Sequence, residues 1–389
     1  MHPRVPHRGF LRLSFLRTQA VVIGFLLILF PPAARAGGEG GETGEAGQTE
    51  LLGPLRIRDM TPFNILRLDM LPAHAVAAGK GSWAVEADLS YTNTFVMSEN
   101  VRSYLEQRDS REPLTQEDVD AILGMGEDAY YVDGEFGLLD LTLHYAIARK
   151  TSIYLTLPAY SFAGGFLDST IDNFHEMIGA GTDGRDLVAR DRFQTVMSLE
   201  GLQMSFLEAP IDGGLGDPVI GMRHTWSLPG KRWGVVLDGA AKLALHGERS
   251  LLSTGTNDFG LQASLQGKFR RQGVYFSGSL VRTDGRVFGV KLGPREVPTL
   301  TAAYEVGLTK HTNFIVQLYG SQSALRDTDI EEIRADKYQA SFGLRSRRGH
   351  IVYALAVTEN VANFENTPDI GATLTFAWIS QVPVSQVSP

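Results

Sequence analysis

The sequence predicts an all-β protein, an antiparallel transmembrane β-barrel of about twelve strands with short helices in its external loops. Three observations carry that prediction. Between Trp83 and Ile379 apolar and polar residues alternate in one segment after another, and a period of two sends alternate side chains to opposite faces of a strand. The connections between segments alternate in length, short then long, as periplasmic turns and external loops do in an outer-membrane barrel. No segment after residue 36 holds 18 consecutive apolar residues, so no helix is expected to cross a membrane. A closed barrel is then the remaining way to cross lipid with every backbone group paired.

Residues 1–36 read as a signal peptide. Arg4, Arg8, Arg12 and Arg17 precede an apolar run from Ala20 to Phe30, and Ala34-Arg35-Ala36 supplies an A-x-A cleavage site near Ala36. The run has 11 residues, too few for a spanning helix, which needs about 20. Without residues 1–36 the chain has 31 basic and 44 acidic residues, a balance that repels phosphate backbones and argues against nucleic acid as a partner. It has no cysteine, hence no disulfide and no lipidated thiol. Residues 37–50 are rich in Gly and Glu and read as a disordered linker. Residues 51–81 have more apolar content and three prolines but no sustained period; they form either a periplasmic lead-in or a plug in the barrel's lumen.

The barrel is expected over residues 82–379, with a tail at 380–389. Trp83, Val85, Ala87, Leu89 and Tyr91 mark the first strand, which ends near Met97. In the polar connection that follows, Gln116 to Leu123 reads as a helix, with Thr115 as its cap and Glu117 and Asp118 in its first turn. The hairpin Asp140–Phe162 shows the repeating unit best. Leu141, Leu143, Tyr145 and Ile147 share one parity, and Asp140, Thr142, His144 and Ala146 the other. The basic corner from Arg149 to Ser152 then leads to Ile153, Leu155 and Leu157. A corner so short makes the two runs antiparallel neighbours.

After a long insertion (163–214), strands are expected at 215–228 and 233–246, at 258–269 and 274–283, at 298–308 and 313–323, at 335–345 and 351–358, and last at 368–379. Aromatic residues at run ends (Trp226, Trp233, Phe269, Phe314, Tyr353 and Trp378) suit an interfacial girdle, which a soluble β-sandwich would lack. An even strand count returns both termini to the periplasm.

The segments GPLRIRDMTPF, FLDSTIDNFHEMIG followed by GRDLVARDRF, GLGDPVIGMRHTW and ENVANFENTPDIGATLTFAW occur in that order along the chain. Together they resemble domain-of-unknown-function family 3187, bacterial proteins directed to the outer membrane. The resemblance implies location and fold. It implies no catalytic residues, because the family has no established activity.

Three sets of residues could carry chemistry. In the insertion, Phe166 to Ile178 reads as a helix with Leu167, Ile171, Phe174 and Ile178 as its apolar stripe. Asp168, Asp172 and His175 lie on the adjacent stripe. They could bind a metal or move a proton; the simpler expectation is an amphipathic lid with its acids in water and no metal. The second set is the polar parity of the strands, taken as facing the lumen: Asp140, His144, Thr156, Arg223, Asp238, Lys242, Gln262, Gln266, Glu305, Gln317, Lys337 and Arg345. These charges either pair and brace the barrel or line a narrow polar route. Third, His224 shares the parity of Ile220, Met222 and Trp226, so it faces lipid. A lipid hydrolase would need a serine beside it, and no G-x-S-x-G motif occurs. The reading is therefore a non-enzymatic passive channel or transporter for small or apolar molecules, without cofactor, its partners being outer-membrane lipid and a small solute. A lipid-acting hydrolase and a closed structural barrel with partner-binding loops are the alternatives, and the oligomeric state stays open.

Overall fold

The computed structural model describes residues 50–380, leaving aside 63, 74–78, 109–110, 180, 183, 200–201, 231, 246, 248–250, 285, 288–289, 292–293, 325–329, 363–367 and 369. The expected signal peptide, most of the expected linker and the tail beyond 380 therefore lie outside the described residues.

Strand β1 (Trp83–Met97) leads through helices α1 (Glu99–Leu105) and α2 (Gln116–Leu123) to β2 (Ala129–Ala148), which turns into β3 (Thr151–Ala163). The insertion carries helix α3 (Asp168–Ile178) and three short strands, β4 (Gln194–Leu199), β5 (Leu202–Phe206) and β6 (Gly213–Leu215). Two hairpins follow, β7 (Val219–Ser227) with β8 (Trp233–Lys242) and β9 (Asp258–Phe269) with β10 (Gln272–Thr283). A small ribbon, β11 (Arg286–Val287) with β12 (Val290–Lys291), precedes β13 (Arg295–Gly307) and β14 (Thr312–Ser321). Helical turn α4 (Glu331–Arg334), β15 (Lys337–Arg348), β16 (Ile351–Ala362) and β17 (Ile370–Ile379) complete the chain.

Twelve of these strands close a ring in the order β1-β2-β3-β7-β8-β9-β10-β13-β14-β15-β16-β17, every neighbour antiparallel. The seam joins the last strand to the first, with Trp378 opposite Val85 and Leu374 opposite Leu89. The two faces of the wall differ as the alternation requires. Leu141, Leu143 and Tyr145 stand exposed on the outside, while Asp140, Thr142 and His144 between them are buried. An apolar surface on the outside of a closed ring is stable only against lipid. At its turn end that surface finishes in aromatic pairs, Trp83 with Trp378 (4.7 Å between ring centroids) and Trp233 with Phe269 (5.6 Å). This is the girdle of a membrane barrel.

Beyond the lipid-facing band, β1 and β2 continue outward as a ribbon. Strand β2 begins at Ala129, well before the alternation that marks it in the sequence, because both faces of its first half are covered and no period of two is needed. On one face Phe95, Tyr131 and Val196 pack with Val101, Val119 and Ile122 of the helices. On the other, Tyr130 and Val132 pack with Met197, Met204 and Ile333. Helix α2 has the predicted bounds, and its cap is a complete capping box: the Thr115 amide donates to the Asp118 carboxylate (2.7 Å) and the Asp118 amide to the Thr115 hydroxyl (3.3 Å). Helix α1 carries no cap hydrogen bond from its Ser98 side chain and leaves no comparable mark in the sequence.

Candidate functional site

Residues 50–73 run inside the ring, and the inward-facing polar side chains close on them. At the turn end the Asn313 amide donates to the Glu50 carbonyl (2.8 Å) and Arg347 to its carboxylate (2.6 Å). The Leu52 and Gly53 amides donate to Glu305 (2.7 and 3.0 Å), and Arg345 donates to the carbonyls of Leu52, Gly53 and Pro54. The run Leu55-Arg56-Ile57-Arg58 is extended and two-faced. Leu55 and Ile57 pack on Tyr275, Ala303 and Ile315, whereas Arg56 pairs with Glu86 and Asp88 of β1, and Arg58 with Asp140 of β2.

At the outer end Asp59 pairs with Lys337 and accepts from Thr61 and Asn64. The chain reverses there, with the Asn64 and Ile65 amides on the Thr61 carbonyl (2.9 Å each). It then returns along β8 and β9. Lys242 donates to the Leu66 carbonyl, the Leu68 amide to Asp258, Gln262 to Leu71 and Gln266 to Ala73 (3.0 to 3.2 Å). Among the described residues no backbone hydrogen bond joins this segment to a wall strand. Side chains hold it.

The remaining inward candidates form smaller groups on the wall itself. Arg223 binds Asp238 through two nitrogens (2.9 and 2.6 Å), and the Tyr154 hydroxyl donates to the same carboxylate (3.0 Å). Thr142 and Thr156 share a hydrogen bond, His144 is buried beside Tyr154, and Gln317 is buried on β14. Cavities between the segment and the wall include one of about 20 Å³ between Ile57, Met60 and the β1–β17 seam and one of about 30 Å³ among Arg58, Asp140, His144 and Arg223. Each has room for a water or two.

The loop-helix trio differs from expectation. Helix α3 begins at Asp168, not Phe166, and the Phe166 and Leu167 amides just ahead of it donate to Glu135 of β2 (2.9 and 2.6 Å). Gly165 permits that approach: it has φ of 80°, and a Cβ there would overlap the Glu135 carboxyl. Nor do the acids stand in water. Asp168 is buried between Arg185 (2.8 Å), Asn93 (3.0 Å) and the Asp191 amide (2.6 Å). Asp172 meets Arg111 (3.3 Å) and Arg190 (2.6 Å). The cations that bind them come from loops far along the chain, which helical spacing does not reveal. Of His175 only its place on the helix is described. Among the described residues no three His, Asp or Glu side chains are grouped to hold a metal. His224, half-buried near the turn end, meets the Thr151 hydroxyl through Nδ1 (2.8 Å) and lies tilted against Trp226 (4.2 Å between ring centroids).

Arg56, Arg58, Asp59 and Arg67, central to the lumen, were not expected from sequence. Their signal is a two-residue alternation over Leu55–Arg58, too short to separate from chance. Glu86 and Asp88 lie on the polar parity of the first strand and could have been found by it.

A closed antiparallel ring of twelve strands, apolar outside and charged inside, defines the class as a transmembrane β-barrel of the outer-membrane type. The chain belongs to the family described as Protein of unknown function (DUF3187), whose model matches residues 44–378. No curated protein matches it in sequence. Solved structures similar to it include an outer membrane channel from Pseudomonas putida F1, 11% identical with a TM-score of 0.48, over 80% of this chain and 100% of that one. The P. putida toluene transporter TodX is 8% identical with a TM-score of 0.36, over 78% and 93% of the two chains. The NanC porin is 8% identical with a TM-score of 0.37, over 62% and 93%.

Proposed function

We propose that the protein is a passive outer-membrane channel for small molecules with apolar bodies, held shut by residues 51–73. The observation that carries this reading is the manner of the segment's attachment. A plug bound only through side chains leaves without breaking a strand pair, whereas an added strand would tear the ladder. With the segment displaced, the acids Glu86, Asp88, Asp140, Asp258 and Glu305 and the cations Lys242, Lys337 and Arg345 would be left around a polar route. Beside them Phe136, Phe162 and Phe193 form a buried apolar cluster with Met60, Ile65 and Leu66 of the segment. Displacing the segment would uncover this surface for a solute with an apolar body.

Planar-bilayer recordings and liposome uptake, on the full chain and on a chain lacking residues 51–73, test the proposal. The full chain should open rarely and the deletion conduct steadily. Neither current nor uptake from the deletion, with the barrel intact by circular dichroism, would leave a closed barrel that presents its loops to partners. The hydrolase alternative gains no support from His224, whose described partners are a threonine and a tryptophan.

A further inference from the structure

The turn end of the barrel carries a charge that the channel does not use. Arg149, Lys150, Arg270, Arg271, Lys310 and Arg348 are exposed there. The five turns, 148–152, 228–232, 269–272, 308–312 and 346–350, contain no Asp or Glu. Overall composition does not explain this, since the chain's formal net charge is −8 and the first external connection, 98–128, holds nine acids against three bases. Among the described residues the one acid paired at this end is Glu50, with Arg347.

The cations also have a fixed relation to the lipid-facing surface. Tyr145 comes four residues before Arg149, Phe269 adjoins Arg270, and Tyr353 lies five residues after Arg348, all three rings exposed on the outside of the wall. Aromatic rings of this kind mark the interfacial depth, so the cations just beyond them stand at the level of lipid headgroups. Just ahead of β8, the Arg232 carbonyl accepts from the Lys268 amide of β9 (2.8 Å), one step beyond the Trp233–Gly267 pair, which sets the two residues opposite each other. Like charges directly opposite each other repel unless an anion lies between them.

We propose that this rim binds anionic phospholipid headgroups in the adjoining membrane leaflet. Phosphate oxygens would bridge cations of neighbouring turns through charge-assisted hydrogen bonds, while the acyl chains lie against the apolar wall. The proposal rests on the membrane barrel and stands whether or not the lumen conducts.

The test uses the full chain in vesicles of phosphatidylcholine with or without phosphatidylglycerol, followed by native mass spectrometry of lipid retained after detergent extraction. The wild type should retain phosphatidylglycerol in preference, and this should weaken as salt rises. Neutralising one turn, as R270Q/R271Q or as R149Q/K150Q, should cut retention by about tenfold or more, at roughly fivefold per cation near a surface. Each double variant is checked for the folded barrel by its heat-modifiable migration, so a folding failure in one leaves the other to decide. Equal retention of both lipids by the wild type, or an unchanged preference in folded variants, would overturn the proposal. So would binding of inorganic phosphate with no lipid preference, which would assign the ring to soluble anions.

Discussion

Arg58 and Asp140 are 82 residues apart in sequence, yet one Arg58 nitrogen lies 3.2 Å from each oxygen of the Asp140 carboxylate. The other terminal nitrogen donates to the carbonyls of Ile65 (2.9 Å) and Arg67 (2.6 Å). One guanidinium thus ties both legs of the inserted segment to each other and to the wall. Removing one partner of a buried pair leaves the other charge uncompensated, at about 3–5 kcal/mol. Asp140→Asn should therefore loosen the segment and raise the opening frequency in bilayer recordings. Replacing both, as Arg58→Met with Asp140→Leu, should restore much of the closure. Strictly additive effects in that double-mutant cycle would show that the two side chains are not coupled.

Arg67 is the contrary case. Its three guanidinium nitrogens are buried and have no hydrogen-bond partner among the described residues. An unsatisfied buried polar group costs roughly 1–3 kcal/mol, more when charged. Arg67→Met keeps the length of the stem and removes that cost, so the segment should hold more firmly and openings become rarer. More frequent openings in this variant would mean that the guanidinium contributes to closure.

The wall of the barrel was legible because lipid imposes a simple rule: apolar outward at every second residue, and a short turn after every even strand. All twelve wall strands follow from it, including the closing one around Phe376 and Trp378. The inward polar set follows from the same parity, although their partners do not. Asp140, Lys242 and Lys337 were visible as polar positions, but their partners Arg58, Asp258 and Asp59 lie on other elements, two of them on a segment with no period. The outer half of β2 was invisible for the opposite reason. Burial on both faces erases alternation, so Ala129–Leu138 carries no strand signature.

Asp168 and Arg185 anchor helix α3 to the outer ribbon. Arg185 also donates to Asn93 (2.6 Å) and lies 4.6 Å from the Phe95 ring centroid. Both charged groups are buried, so Arg185→Ala should strand Asp168 and destabilise the insertion by about 3–5 kcal/mol. The barrel wall does not depend on this pair. Limited proteolysis should then cut within residues 164–212 at a much higher rate while heat-modifiable migration stays unchanged. Equal protease resistance in wild type and variant would remove the anchoring role.

Acid should open the external layer before it affects the wall. Burial by itself would raise the Asp118 carboxyl, but the amide and hydroxyl of Thr115, the Tyr104 hydroxyl (3.0 Å) and the Arg108 guanidinium (3.8 Å) hold it below the ordinary value of 3.8. In the unfolded layer this carboxylate takes up its proton at a higher pH than in the folded one, so protons favour opening. The contribution is complete above the ordinary value and is lost as pH falls through the lower, folded one. Hydrogen exchange over residues 98–128 should stay flat from about pH 6 to pH 4 once corrected for intrinsic rates, then rise steeply below. Asp118→Asn removes the titrating group and weakens the cap by about 1 kcal/mol. The variant should exchange faster at pH 6 and show a smaller rise on acidification; an acid response as steep as the wild type's would place the sensitive group elsewhere in the layer.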